Sequence, residues 1–85
     1  MKFKPGDMVF MLQPDCCADI GKVLEVSEDG YIIHMIFQEE NTAGEYLPGF
    51  FSKKEWDSVL YHPYEKKKEI ILFLFDYPTF DKRYL

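Results

Sequence analysis

The chain has 85 residues, of which 47% are apolar and 18% aromatic, and its formal net charge is −5. A chain of this length makes a single domain, since chains divide into several domains only beyond roughly 250 residues. The apolar content excludes a disordered chain. The longest apolar run, residues 70–75, is far shorter than the roughly 18 residues that a membrane-spanning helix needs.

The opening residues lack the apolar stretch of a secretory signal, so we expect a cytoplasmic protein without a membrane partner. Cys16 and Cys17 are adjacent, and a disulfide between neighbours would need a strained ring. We therefore expect a reduced thiol pair. A zinc site would need two further ligands, and His34 and His62 do not lie at a metal-like spacing. The sequence thus predicts neither a metal nor a cofactor.

Acidic charge is concentrated in the first half of the chain. Residues 1–42 contain three lysines and eight acids, a net charge of −5, while residues 43–85 contain seven bases and seven acids. A nucleic-acid-binding surface usually shows a basic stripe rich in arginine, and Arg83 is the only arginine here. The overall charge therefore disfavours nucleic acid. The acidic half either faces a basic partner or forms a solvated surface.

Turn and strand signals alternate through the first 37 residues. Residues 5–7 (Pro-Gly-Asp) predict a turn, and the apolar run 8–12 predicts the first strand. Residues 20–27 predict a second strand. Residues 28–30 (Glu-Asp-Gly) then predict a tight hairpin that leads to a third strand at 31–37.

Both faces of the third strand carry apolar side chains. Strict alternation gives two sets, with Tyr31, Ile33, Met35 and Phe37 on one side and Ile32, His34 and Ile36 on the other. A strand of this kind lies in the centre of a barrel, under another segment or against a partner. His34, between two isoleucines, is expected to be a hydrogen-bonded structural residue.

The second half begins with a polar, acidic loop at residues 38–49. Ser52 and Glu55 have the spacing of a capping box, which predicts one short helix or helical turn near 52–60. Pro63 ends that helix. The apolar run 70–75 predicts another strand because of its length and its Ile and Phe content.

These elements give a single small β-barrel domain at residues 1–75 and an aromatic tail at residues 76–85. The tail contains Tyr77, Phe80 and Tyr84, which are large apolar groups that a disordered tail rarely contains. We expect the tail either to pack back on the barrel or to act as a docking arm.

The succession of a Gly-Asp turn, a strand, a Gly-x-Val strand at residues 21–23, a tight turn and a strand resembles small Src-homology-3-like barrels such as the Tudor and KOW modules. The resemblance covers residues 3–37. It implies a mainly β fold, a small, bent, five-stranded SH3-like barrel. KOW modules use basic surfaces against RNA, whereas this half is acidic. Tudor modules use an aromatic cage. The aromatic side chains that could form such a cage here are Tyr31, Tyr46, Phe50, Phe51 and Trp56. These side chains could equally be core residues.

No catalytic constellation stands out. The chain has no phosphate-binding Gly-rich loop and no nucleophile elbow, and its Cys and His residues offer only the pairing that any small protein could show. Residues 66–68 (Lys-Lys-Lys) lie between Glu65 and Glu69, which is typical of a solvated connector.

The leading hypothesis is a non-catalytic protein-interaction module, an acidic inhibitor or immunity-type factor of bacterial or phage origin that binds a basic protein surface. The partner is another protein or a second copy of the chain. The predicted binding residues are acids and aromatics of the loop, the helix and the tail: Glu39, Glu40, Glu45, Tyr46, Phe50, Phe51, Trp56, Tyr77 and Phe80. One alternative is a nucleic-acid-binding barrel that uses Lys53, Lys54 and residues 66–68. The other is a small enzyme or accessory subunit that depends on Cys17 or His34.

Overall fold

A computed structural model describes residues 2–12, 18–39 and 47–85. In chain order its elements are β1 (Met8–Leu12), β2 (Ala18–Val26), β3 (Gly30–Gln38), β4 (Gly49–Ser52), α1 (Lys53–Trp56), β5 (Leu60–Tyr61), a 3-10 turn (Pro63–Lys66), α2 (Lys67–Asp76) and a second 3-10 turn (Lys82–Tyr84). The helices that the structure describes are all too short to cross a membrane.

The mainly β fold class is confirmed. Five antiparallel strands form one curled sheet, a half-barrel, in the order β4-β3-β2-β1-β5. This shape is compatible with a Src-homology-3-like barrel. Helix α1 lies inside the predicted interval 52–60 and begins directly after Ser52. The predicted capping bond is wrong, because the Ser52 side chain makes no hydrogen bond at the helix terminus.

The predicted strand at 70–75 is also wrong, since these residues belong to α2. The fifth strand is instead β5, Leu60–Tyr61, which follows α1 in the chain and pairs with β1. The prediction that Pro63 ends the helix is wrong, because α1 ends at Trp56 and β5 follows it. Pro63 instead stands at the start of the 3-10 turn that leads into α2, where a missing amide hydrogen costs nothing. The His62 amide, just before it, donates to the Glu65 carboxylate at 2.7 Å.

The inner face of the sheet encloses the first core cluster. Its fully buried members are Phe3, Val9, Met11, Val23, Tyr31, Ile33, Met35 and Leu60. The Phe3 ring meets the Tyr31 ring edge-on at 5.6 Å between centroids. The Tyr31 hydroxyl donates to Asp57 Oδ1 at 3.2 Å, so this buried polar group has a partner. Burial and then the Asp57 carboxylate raise the pKa of the Tyr31 phenol.

Helix α2 covers part of the outer face. The buried members of this second cluster are Phe10, Ile20 and Phe73, and Tyr77, Phe80 and Leu85 pack against them. Phe73 provides the centre of the contact, with ring centroids 5.1 Å from Phe37 and 5.3 Å from Phe80. The C-terminal segment is therefore part of the same fold.

Phe37 lies on the outer face and not with Tyr31, Ile33 and Met35 as strict alternation predicts. The pairing of β2 with β3 shifts here, because Ile20 is opposite Phe37 while the next residue, Gly21, is opposite Met35. The extra residue on β3 is a bulge, which reverses the faces of the residues beyond it. The bulge gives α2 an aromatic side chain to pack on.

Candidate protein-binding surfaces

Four of the predicted binding residues pack within the fold. Phe51 and Trp56 lie against the inner cluster with their rings edge-on at 5.0 Å. Tyr77 and Phe80 belong to the outer cluster beneath α2. All four are partly buried, so the aromatic excess that suggested a binding surface is largely core.

Glu39 is engaged inside the chain. One carboxylate oxygen accepts from the Ala18 amide at 2.8 Å, and the other accepts from the Tyr77 hydroxyl at 3.1 Å. The carboxylate therefore ties the end of β3 to the start of β2 and to the C-terminal segment. Glu40, Glu45 and Tyr46 lie outside the described residues.

Among the predicted binding residues that the structure describes, Phe50 is the most exposed, with 57% of its surface accessible. It stands opposite Ile32 in the pairing of β4 with β3, and Ile32 stands opposite Glu25 in the pairing of β3 with β2. These three side chains form one row across the outer face, away from α2. They also line a pocket of about 190 Å³, large enough for one long side chain.

Gly30 lets the Phe50 ring approach the sheet. A Cβ at this position would collide with the Phe51 carbonyl oxygen and would lie 2.9 Å from Phe50 Cζ. The hairpin turn beside it carries Glu28 and Asp29, both exposed. We call Glu25, Glu28, Asp29, Ile32 and Phe50 the hairpin patch: an aromatic ring and an isoleucine bordered by three acids.

The outer face changes character further along the same strands. Lys22 and His34 are opposite each other in the pairing of β2 with β3, and both are exposed. His34, predicted to be a hydrogen-bonded structural residue, is therefore at the surface. The outer face of the sheet is thus acidic at the hairpin patch and carries a lysine further along the same strands.

A second candidate surface is the outward side of α2, which the sequence reasoning missed. Ile71, Leu72 and Phe75 are 67%, 65% and 83% exposed. Phe73, between them, is buried against the sheet. The spacing of Lys68, Leu72 and Phe75 places them on one face of a helix and could have indicated this surface. The Ile and Phe content of residues 70–75 favoured a strand instead.

A groove of about 500 Å³ adjoins this helix, and its walls are mainly apolar. Its lining includes Tyr64, Ile71 and Tyr84, together with the cations Lys67 and Arg83. The Arg83 guanidinium is held by the Asp81 carboxylate, with contacts of 2.7 and 3.0 Å, and it lowers the pKa of Asp81. The Arg83 charge is therefore paired within the chain.

The groove beside α2 is also lined by the titratable side chains of Asp7, His62 and Lys67. Within residues 2–12, 18–39 and 47–85, no group of three His, Cys, Asp or Glu side chains could hold a metal ion. The His62 ring packs on Phe3 with centroids 4.5 Å apart, and its Nε2 lies 3.1 Å from the Lys2 carbonyl oxygen. Cys16 and Cys17, the candidate nucleophiles, lie outside the described residues.

The fold is a small curled antiparallel half-barrel with one face partly covered by a helix. Comparison with known proteins adds no relative to this description: no family model, no curated protein and no solved structure matches the chain. Function has to be argued from the two surfaces themselves.

Proposed function

We propose that the protein is a non-catalytic protein-interaction module of the Src-homology-3-like type that binds a basic segment of another protein through the hairpin patch. The observation that carries the proposal is Phe50, a large aromatic side chain left exposed on the sheet, which lines one pocket together with Glu25. Exposed aromatics that can be buried by a partner supply much of the energy of protein interfaces.

The chemistry of the patch favours a lysine or arginine side chain. Its aliphatic stem would lie along Ile32 and the Phe50 ring, and its charged end would reach the Glu25 carboxylate. Glu28 and Asp29 add negative potential, which speeds encounter with a basic partner and disfavours an acidic one. An inhibitor or immunity-type role fits a compact acidic module of this kind.

Titration of the full isotope-labelled chain with two peptides of equal length, one rich in lysine and arginine and one rich in glutamate, tests the proposal by NMR. We expect the basic peptide alone to shift amide signals around Glu25, Ile32 and Phe50. Binding should weaken as salt is added, because ions screen the attraction. Shifts elsewhere, or equal binding of the acidic peptide, would contradict the proposal.

Two variants and a matched control locate the contact. Phe50→Ala should weaken binding about tenfold through loss of an exposed aromatic contact, and Glu25→Lys should weaken it further by repulsion. Tyr64→Ala removes an aromatic side chain that is 68% exposed and lies away from the patch, and it should leave binding of the peptide unchanged. If nuclease treatment abolishes all capture by the wild-type chain from a lysate, the nucleic-acid alternative takes precedence.

A further inference from the structure

The outward side of α2 has an apolar surface that the hairpin patch does not use. Ile71, Leu72 and Phe75 lie within one turn of each other and are each about two-thirds exposed or more. A helix that is apolar on all sides is normally buried on all sides. A contiguous apolar patch on an otherwise charged chain marks an interface.

The charges at the two ends of this face are opposite. Lys68 lies four residues before Leu72 and Asp76 four residues after it, each roughly 6 Å away along the helix axis. Both side chains are exposed. The ion pairs of the described residues are Lys2–Glu65, Lys53–Asp57 and Arg83–Asp81, so neither Lys68 nor Asp76 has a charged partner in this part of the chain.

This charge order opposes the dipole of the helix. A cation in the first turn and an anion in the last turn are each unfavourable, since the N-terminus of a helix carries partial positive charge and the C-terminus partial negative charge. Lys67 and Lys68 begin α2, and Asp76 ends it. These charges do not stabilise the helix within one chain. Against an antiparallel helix with the same order of charges, each lysine end would lie beside an aspartate end, which is favourable.

We propose that a second copy of this chain covers the face, with the two α2 helices antiparallel and related by a two-fold axis beside Leu72. That axis places Leu72 against Leu72 of the second copy and brings Phe75 within about 3 Å, along the helix axis, of its Ile71. Lys68 then meets the second copy's Asp76, and the symmetry forms this pair twice. The apolar centre with charges at its ends agrees with homodimer interfaces, which are more apolar than transient contacts between different proteins.

The helix has only ten residues, so the contact is small. Stable interfaces bury about 800 Å² on each partner, and the exposed rings of Tyr64 and Tyr84 at the adjoining groove extend the apolar area beyond the helix. The dimer should therefore dissociate on dilution, and the average molecular mass in solution should rise with protein concentration.

Sedimentation equilibrium of the full chain over a wide range of protein concentration tests the proposal. The wild type should change from monomer to dimer as concentration rises. Leu72→Glu places two carboxylates against each other at the axis and should raise the dissociation constant at least about 100-fold. Circular dichroism should be unchanged, because Leu72 is exposed in the monomer. A wild type that stays monomeric throughout would overturn the proposal.

Exchanging the charges tests the antiparallel register. Lys68→Asp and Asp76→Lys should each weaken the dimer about tenfold, since each turns two attractions into two repulsions. Both changes suit the helix dipole, so unfolding would not explain the loss. The double variant should regain the wild-type dissociation constant, and the two single variants mixed together should form a heterodimer.

The controls separate this inference from the proposed function. Phe50→Ala should leave the dissociation constant of the dimer unchanged, and Leu72→Glu should leave binding of the basic peptide intact. A dimer that none of the α2 variants affects, or a double variant that does not recover, would overturn the arrangement. A monomeric chain that captures a different protein through α2 would also overturn it.

Discussion

Phe73 and Phe75 are two residues apart, and substitution by alanine should destabilise the protein strongly at Phe73 and hardly at all at Phe75. In α2, Phe73 is 5% exposed and faces the sheet, whereas Phe75 is 83% exposed. In a β-strand over 70–75, as the sequence predicts, the two side chains would share one face. A single pair of variants therefore tests both the helix and the face that it buries.

The magnitude follows from the packing of Phe73. Its ring contacts those of Phe10, Phe37, Tyr77 and Phe80 at centroid distances of 5.0 to 6.2 Å. Truncation of a buried phenylalanine to alanine costs about 3–5 kcal/mol. A domain of this length has a free energy of unfolding of about 4–13 kcal/mol, so Phe73→Ala removes a large share of it.

Thermal unfolding followed by circular dichroism measures the effect. The unfolding entropy for this length is about 0.18 kcal/mol per kelvin, so Phe73→Ala should lower Tm by about 17–28 °C. Phe75→Ala should change it by less than about 3 °C. Melts at several protein concentrations separate any contribution from association. Equal losses in the two variants would show that both side chains face the sheet and would refute the placement of α2.

Three other substitutions test the fold. Tyr31→Phe should lower the free energy of unfolding in urea by about 1 kcal/mol, because the hydrogen bond to Asp57 is lost. Burial and Asp57 raise the pKa of Tyr31, so the wild type should lose stability above about pH 10, as pH rises through the folded pKa. The variant should not show this loss. Gly30→Ala should lower Tm, at a cost of about 2 kcal/mol or more, because its Cβ meets the Phe51 carbonyl oxygen. Glu39→Gln should cost about 1 kcal/mol in urea unfolding, since two hydrogen bonds lose their charged acceptor.

The elements that could be predicted from the sequence are those with strong local signals. The turn before β1 and the Glu-Asp-Gly hairpin between β2 and β3 contain residues that favour a particular backbone shape, and both stand where they are expected. Ser52 likewise stands at the start of α1. These signals act over a few residues, so they do not depend on what packs against them.

The run 70–75 shows why the rest could not be predicted. Its residues are apolar on every side, so the pattern fits a buried strand and a helix equally well. The choice depends on the outer face of the sheet, where Phe10, Ile20 and Phe37 need a cover. Phe37 itself reaches that face through a bulge in β3, which the residue pattern does not announce. The α2 surface was missed for the same reason.

The position of α2 also explains why one exposed surface remains on the sheet and another on the helix. The helix is ten residues long and covers the outer face around Phe10 and Ile20, which leaves Ile32 and Phe50 on the other strands open. Its own outward side stays apolar and exposed. If a second copy covers that side, as proposed, the dimer presents two hairpin patches related by the same axis. A target with two basic segments would then bind more tightly than a single contact allows, because the second contact forms within an existing complex.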